Sequence, residues 1–227
     1  QNVISPKNNC NFAGCIVDAI TGNYILGKNQ FSQEEANQLL YKSGINKEVT
    51  KKIISGRELF SMLLPKVDFV NKSIEIKDGK IKSGDIDASI LGSEDGELVK
   101  VIDREHGRTA TFETIIKAFN LGKNYLSDYG TSLSIEDFDL DESLIQEGEK
   151  VIKDAEKKVD KILEDFYAGT IDLIPGKSDE ESREIHMLKA LNEIRTKIGE
   201  IVKINFPDEN PVSPMMKSGG GGKIMNI

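Results

Sequence analysis

The chain has 227 residues, a formal net charge of −8, 38% apolar residues and 30% charged ones. This is an ordinary globular composition, with no run of 18 apolar residues to cross a membrane and no secretory leader. The acidic balance argues against a free-standing binder held to nucleic acid by charge alone, though not against a neutral part of a larger nucleic-acid machine.

Length allows one or two domains. The chain opens on Gln1 without a Met and stops at "GGGGKIMNI", so both ends read as cuts inside a longer chain.

Residues 1 to 100 read as mixed structure. "GCIVDAITGNYIL" suggests short β-branched and aromatic stretches with Gly at the turns. "SQEEANQLLYKSG" reads as a short helix, because Ser32 with Glu35 three residues later forms a capping-box pattern and Gly44 follows as a stop. "TKKIISGRELFSMLLP" has a Ser-Gly break, then a short segment halted by Pro65. "SIEIKDGKIKSGDI" alternates apolar and polar residues around Asp78-Gly79, a strong hairpin signal. The cysteines, Cys10 and Cys15, have no second pair, and His106 and His186 lie far away in sequence. Zinc needs about four ligands, and a disulfide has only proximity in its favour. The pair therefore reads as two small buried apolar residues.

Residues 103 to 128 predict a helix, with Phe112, Ile115, Ile116, Phe119 and Tyr125 at helical spacing and Gly130 as a stop. Beyond it Ile145, Gly148, Ile152, Ala155, Val159, Ile162 and Phe166 step by alternating threes and fours. So do Met187, Leu191, Ile194, Ile198 and Ile201. These are two a/d seams. Ser178 with Glu181 forms a capping box before the second. Two helices of roughly 25 residues, each about 37 Å long, joined by the Gly- and Pro-bearing "AGTIDLIPGK", predict a long antiparallel αα-hairpin. Each narrow seam needs the other to be buried.

Between these parts lies "SIEDFDLDES", with Asp137, Asp139 and Asp141 at alternate positions. Counted from Asp137, an EF-hand loop requires Gly at its sixth place and Glu at its twelfth. Those places hold Glu142 and Gly148. Asp139 with Glu142 instead reads as a capping box, and acids in a first turn suit the helix dipole. No metal site is expected, and Asp139 is expected as an N-cap. No Ser-His-Asp or Cys-His set stands out, and His106 in "REHGR" reads as a surface or capping group. A free-standing hydrolase is disfavoured.

Taken in order, several segments resemble the largest subunit of multisubunit DNA-directed RNA polymerase, most closely its archaeal and eukaryotic branch. They are Ser5, Pro6, Asn9, Gly14, Asp18 and Gly22 in the first segment; "SGRELFSMLLPK"; "DGKIKSGDID" with the turn Gly92, Ser93 and Gly96; "YGTSLSIED"; "LNEIRTKIGE"; and Ser218, Gly219, Gly222 and Asn226 near the end. Departures are Val17 where the family has Gln, a missing Pro near Asn11, and Gly220-Gly221 where relatives usually carry a basic residue.

The resemblance implies an α+β fold: a small β-rich pore domain over 1–102, then a funnel domain over 103–227 whose helical hairpin covers about 140–167 and 178–204. It implies a non-catalytic, structural role for Gly92, Ser93, Gly96, Ser218, Gly219, Gly222 and Asn226, which would shape turns along a secondary channel. By composition alone the four glycines would be a flexible tether. The family's magnesium motif, Asp-Phe-Asp-Gly-Asp, lies upstream of Gln1. Here Leu140 stands in the glycine's place, so "DFDLD" imitates that motif, and Mg²⁺ belongs to the parent enzyme. Implied partners are other polymerase subunits, a transcript-cleavage factor at the funnel, nucleoside triphosphates in transit, and DNA and RNA through the parent enzyme, with no membrane. The location would be cytoplasmic in an archaeon and nuclear in a eukaryote. The competing reading is a non-enzymatic coiled-coil adaptor.

Overall fold

The structure is a computed structural model that describes residues 3–221. Gly222 and Asn226 lie outside the described residues. The fold is mixed α+β and divides into two compact units. One runs up to Asp137 and resumes at Asp208; the other is Phe138–Pro207. This differs from a division at residues 102 and 103, because one long helix crosses that point.

In the first unit, α1 (Asp18–Lys28) is followed by β1 (Gln30–Ser32), α2 (Gln33–Lys42), β2 (Ile53–Ser55) and α3 (Gly56–Ser61). The stretch expected as β-like pieces is thus the helix α1. Its eight residues from Ala19 to Leu26 are all buried, and tertiary packing overrides the β preference of its Ile and Thr residues. Ser32 and Ser55 each close a full capping box, with Glu35 and Glu58. Strands β1 and β2 pair antiparallel, Phe31 opposite Ile54.

A second sheet, β3 (Phe69–Val70), β4 (Ile74–Lys77) and β5 (Lys80–Gly84), is antiparallel throughout. Its hairpin turns on Asp78 and Gly79, both at positive φ (50° and 71°), which gives the twist a two-residue turn needs. Ile74, Ile76 and Ile81 face the core and alternate with exposed residues.

Next come α4 (Ala88–Leu91) and α5 (Glu97–Tyr129). Helix α5 begins earlier than the periodicity suggested. It is broken at Gly107 (φ 78°, ψ 172°), a conformation restricted almost entirely to glycine. Leu26, Leu40, Phe60, Ile90, Leu98 and Leu121 are fully buried in one core. The unit ends with α8 (Ser213–Ser218), with Pro in its first turn and Gly219 in the left-handed conformation at its C-cap.

The second unit is the hairpin of α6 (Glu142–Tyr167) and α7 (Asp179–Asn205). Ser178 accepts from the Glu181 backbone N–H and closes a capping box. The cap expected at Asp139 is not formed. Residues Ile135–Phe138 turn as a short 3₁₀ helix, and α6 starts behind Asp141, whose side chain makes no cap bond.

The contact line also differs at its ends. Ile145, Ile152 and Leu191 stay 48%, 47% and 50% exposed, whereas Leu144, Ala155 and Ala190 are buried. Burial on α6 is thus offset by one residue from the expected seam at Leu144 and coincides with it at Ala155. Small residues sit where the helices meet. At the tip, Ser182 accepts from the Ile174 N–H, and His186 Nε2 lies 2.8 Å from the Asp172 carbonyl. Arg183 stacks 4.5 Å over the Phe166 ring.

Candidate functional site

The residues singled out at Gly92–Gly96 and Ser218–Gly219 come from the two separate segments of the first unit, and the loop before α1 brings backbone against both. Asn11 reaches across the Gly92–Gly96 turn, its Nδ2 donating to the carbonyls of Gly92 (3.4 Å) and Gly96 (2.7 Å). The Cys15 N–H donates to the Leu91 carbonyl, and Ser93 N–H donates to the Cys15 carbonyl. A Cβ on Gly14 would lie 2.4 Å from the Gly92 carbonyl carbon. Two main chains are pressed together here, which only glycine permits.

The second turn is seated against α1. Ser218 is buried, and its hydroxyl lies 3.5 Å from that of Thr21. A Cβ on Gly219 would come within 3.0 Å of the Ala88 methyl, and one on Gly220 within 2.2 Å of Thr21 Oγ1 and 2.8 Å of the Val17 carbonyl. Residues 218–221 are therefore a packed turn, not a tether. Val17 itself has φ 43° and ψ −114°, a strained conformation for a β-branched residue. Its carbonyl accepts from the N–H groups of Ile20 and Thr21 and starts the helix.

Sequence reasoning missed Asn23 and Gly122. Asn23 is wholly buried and donates to the carbonyls of Ala19 and Ala118, both at 2.8 Å, so it joins α1 to α5. The available signal was a Gly-Asn pair inside an apolar run, which a helix bears only for a reason.

The chemistry of these groups is structural. Burial pushes the Cys15 thiol up to about 12, far from the thiolate a nucleophile needs. Cys15 is buried as expected, while Cys10 is partly exposed, and both are free thiols. His106 Nε2 lies 2.7 Å from the Lys66 carbonyl, so each histidine sits on a backbone oxygen. A cleft of about 410 Å³ opens beside α1, lined by Asp18, Thr21, Tyr129, Asp208, Asn210 and Met215 among others. Among the described residues no histidine, cysteine or lysine lines it to activate Thr21 or Ser132. The Lys217 ammonium on Asp208 holds that carboxyl below its ordinary range.

Of the three aspartates, Asp137 accepts from the Ser134 N–H at 2.7 Å, and Asp139 is exposed. Among the described residues no group of three His, Cys, Asp or Glu side chains is placed to hold a metal ion.

Comparison with known proteins gives the family. The family description "RNA polymerase Rpb1, domain 3" matches residues 2–138, and "RNA polymerase Rpb1, domain 4" matches residues 162–227. The chain is 31% identical over 255 residues to DNA-directed RNA polymerase subunit Rpo1N of Methanocaldococcus jannaschii, covering all of this chain and 19% of that one. It is 27% identical over 255 residues to Rpo1N of Methanococcus vannielii and 28% identical over 274 to that of Thermococcus celer. Those alignments again cover all of this chain, and 29% and 30% of the relatives. The chain thus spans less than a third of the length of these relatives. With two consecutive domains matched in order and one of them covering more than half its length, the chain belongs to the RNA polymerase Rpb1 family.

Proposed function

We propose that this chain is the part of an RNA polymerase largest subunit that shapes the secondary channel. The pore would be built on residues 1–102 and the funnel on the α6–α7 hairpin. The observation that carries this reading is the order of the two family matches, domain 3 then domain 4, along one chain. The packed glycine turns and the side-chain chemistry described above suit a wall rather than a catalyst.

In this reading the described residues take no chemical part in nucleotidyl transfer. That step uses metal ions to polarise phosphate and activate the attacking oxygen, with ligands contributed by the rest of the polymerase. The work of this chain is to hold a passage open for nucleoside triphosphates, to receive displaced RNA, and to offer α6 and α7 to a transcript-cleavage factor. DNA and RNA are reached through the parent enzyme, whose other subunits are its partners. The setting is the cytoplasm in an archaeon and the nucleus in a eukaryote.

The test is co-purification of the chain, within its native polymerase, with a tagged second-largest subunit. Stoichiometric recovery is expected. Absence from the complex, with α6 and α7 instead pulling down an unrelated protein, would favour the adaptor reading. The half-exposed Leu188 and Leu191 on α7 are compatible with that second reading too. The isolated chain is expected to show no nucleotidyl transfer.

A further inference from the structure

We propose that the cleft between α2 and α5 is a binding site for an alkylated ammonium group, the head group shared by a free quaternary amine and a methylated lysine side chain. The cleft has a volume of about 380 Å³, and three aromatic rings line it. Phe31, on β1, meets Tyr125 edge to face, with ring centres 5.4 Å apart and an angle of 83° between the planes. Tyr129, one turn further along α5, lies 5.7 Å from Tyr125 at 36°. Rings set nearly at right angles form a corner, which presents ring surface to one ligand from two directions. Phe31 and Tyr125 are buried, and Tyr129 is 56% exposed. The corner is held rigidly. Asn29 donates to the Tyr125 hydroxyl at 2.7 Å, and Asn124 donates to the Lys42 carbonyl at 3.0 Å, which ties α5 to the end of α2.

The charge of the lining selects a cation. Among the described residues its charged groups are Glu35, Asp128 and Lys42, a net of one negative charge. Lys42 is held by both oxygens of Asp128, at 3.0 and 2.9 Å, so its own charge is cancelled locally. The Ser32 N–H and hydroxyl hold the Glu35 carboxyl below its ordinary range and keep it ionised. Aromatic faces are themselves negative and attract a cation laid against them.

The hydrogen bonds already made select the kind of cation. Both Asp128 oxygens are taken by Lys42, one Glu35 oxygen by Ser32, and the Tyr125 oxygen by Asn29. A bare ammonium brings three N–H donors and a guanidinium five, and leaving such donors unpaired against apolar walls is costly. An alkylated ammonium spreads its charge over methyl groups that need no acceptor and that pack on the rings and on Leu39. A zwitterion is disfavoured, because its carboxylate would meet Glu35 and Asp128.

The test uses choline and its neutral tert-butyl isostere, titrated into the full chain and followed by saturation-transfer NMR at their methyl protons. Choline is expected to bind, and the isostere to bind roughly fivefold more weakly, the worth of a cation–π contact. Tyr129→Ala, at an exposed position that folding tolerates, should weaken choline by roughly the same factor. Tyr129→Phe, which keeps the ring, should not, nor should Tyr41→Ala, which removes an 87% exposed ring elsewhere on α2. A peptide carrying trimethyllysine separates the two sources. Tighter binding of that peptide than of choline assigns the site to a side chain of a partner protein, and no gain over choline assigns it to a free amine. Absence of choline binding overturns the proposal, as do equal binding of choline and its isostere, unchanged binding in Tyr129→Ala, or a lysine peptide that binds as tightly as the trimethyllysine one. None of these outcomes bears on co-purification with the polymerase, so this proposal and the proposed function fail separately.

Discussion

Gly22 and Gly122 meet backbone to backbone: a Cβ on Gly22 would lie 2.0 Å from the Gly122 carbonyl oxygen, and one on Gly122 would lie 2.2 Å from that of Ala19. Helices α1 and α5 approach so closely that Asn23 spans the gap with its amide.

Alanine at either glycine therefore has to push the helices apart. Gly22→Ala and Gly122→Ala should each destabilise by about 1–3 kcal/mol as overpacking, even after the helix-propensity gain of about 1 kcal/mol. Gly148→Ala on α6 meets nothing within 4 Å and should stabilise by about 0.5–1 kcal/mol. Urea melts of the three variants decide. A destabilised Gly148→Ala alongside a neutral Gly22→Ala would contradict the crossing.

In the hairpin, Ala155→Leu should cost about 1–3 kcal/mol, since it forces a large side chain into the α6–α7 contact. Ile152→Ala, at a half-exposed position, should cost under about 1 kcal/mol. The reverse order would restore the seam through Ile152.

That seam shows what was and was not legible in the sequence. Helix lengths, the Ser178 box and the turn at Asp78-Gly79 depend on neighbours a few residues away, and each was readable. The phase of the α6–α7 contact was readable only at Ala155, because a 3.5-residue stripe drifts against a 3.6-residue helix and the partner selects the face. Helix α1 was hidden for a stronger reason. Its Gly22 and Asn23 are explained by Gly122 and Ala118, about a hundred residues later. Asp139 misled because a capping pattern specifies spacing, not where the preceding turn ends.

The turn after α8 should behave as packed backbone in the native polymerase. Gly219→Val is disfavoured by φ 72° and Gly220→Ala by the Thr21 hydroxyl. Both should slow elongation, measured as transcript length against time. Gly221→Lys, at the place where the family resemblance leads us to expect a basic side chain, should not. Three silent substitutions would return the stretch to a tether.

Capping makes part of the stability pH-dependent. The Ser178 backbone N–H and then Lys177 hold the Glu181 carboxyl below its ordinary 4.5, and the Ser32 N–H and hydroxyl do the same for Glu35. A depressed folded value gives stability that is complete above about 4.5 and is lost as pH falls through the lowered value. Thermal melts from pH 7 to pH 3 should show that loss, and Glu181→Gln should flatten it. An identical pH profile in the variant would exclude this contribution.

The thiols should separate by burial. An aromatic disulfide reagent at pH 8 should titrate Cys10 promptly in the folded chain and Cys15 only after unfolding, giving one equivalent and then two. Two rapid equivalents without denaturant would show that Cys15 is accessible.

The Asn210 amide donates to the Asp137 carbonyl at 2.8 Å, so the chain leaves the first unit and returns to it at one doorway. A ribosome adding about 5–20 residues per second needs roughly 4–14 s to make the intervening Phe138–Pro207. During that interval the residues that form the crossing of α1 and α5 have all been synthesised, while the place beside Thr21 and Val17 has no glycine yet to fill it. Residues 208–221 are thus the last part of the first unit to be made, and they complete it across an excursion of separate structure.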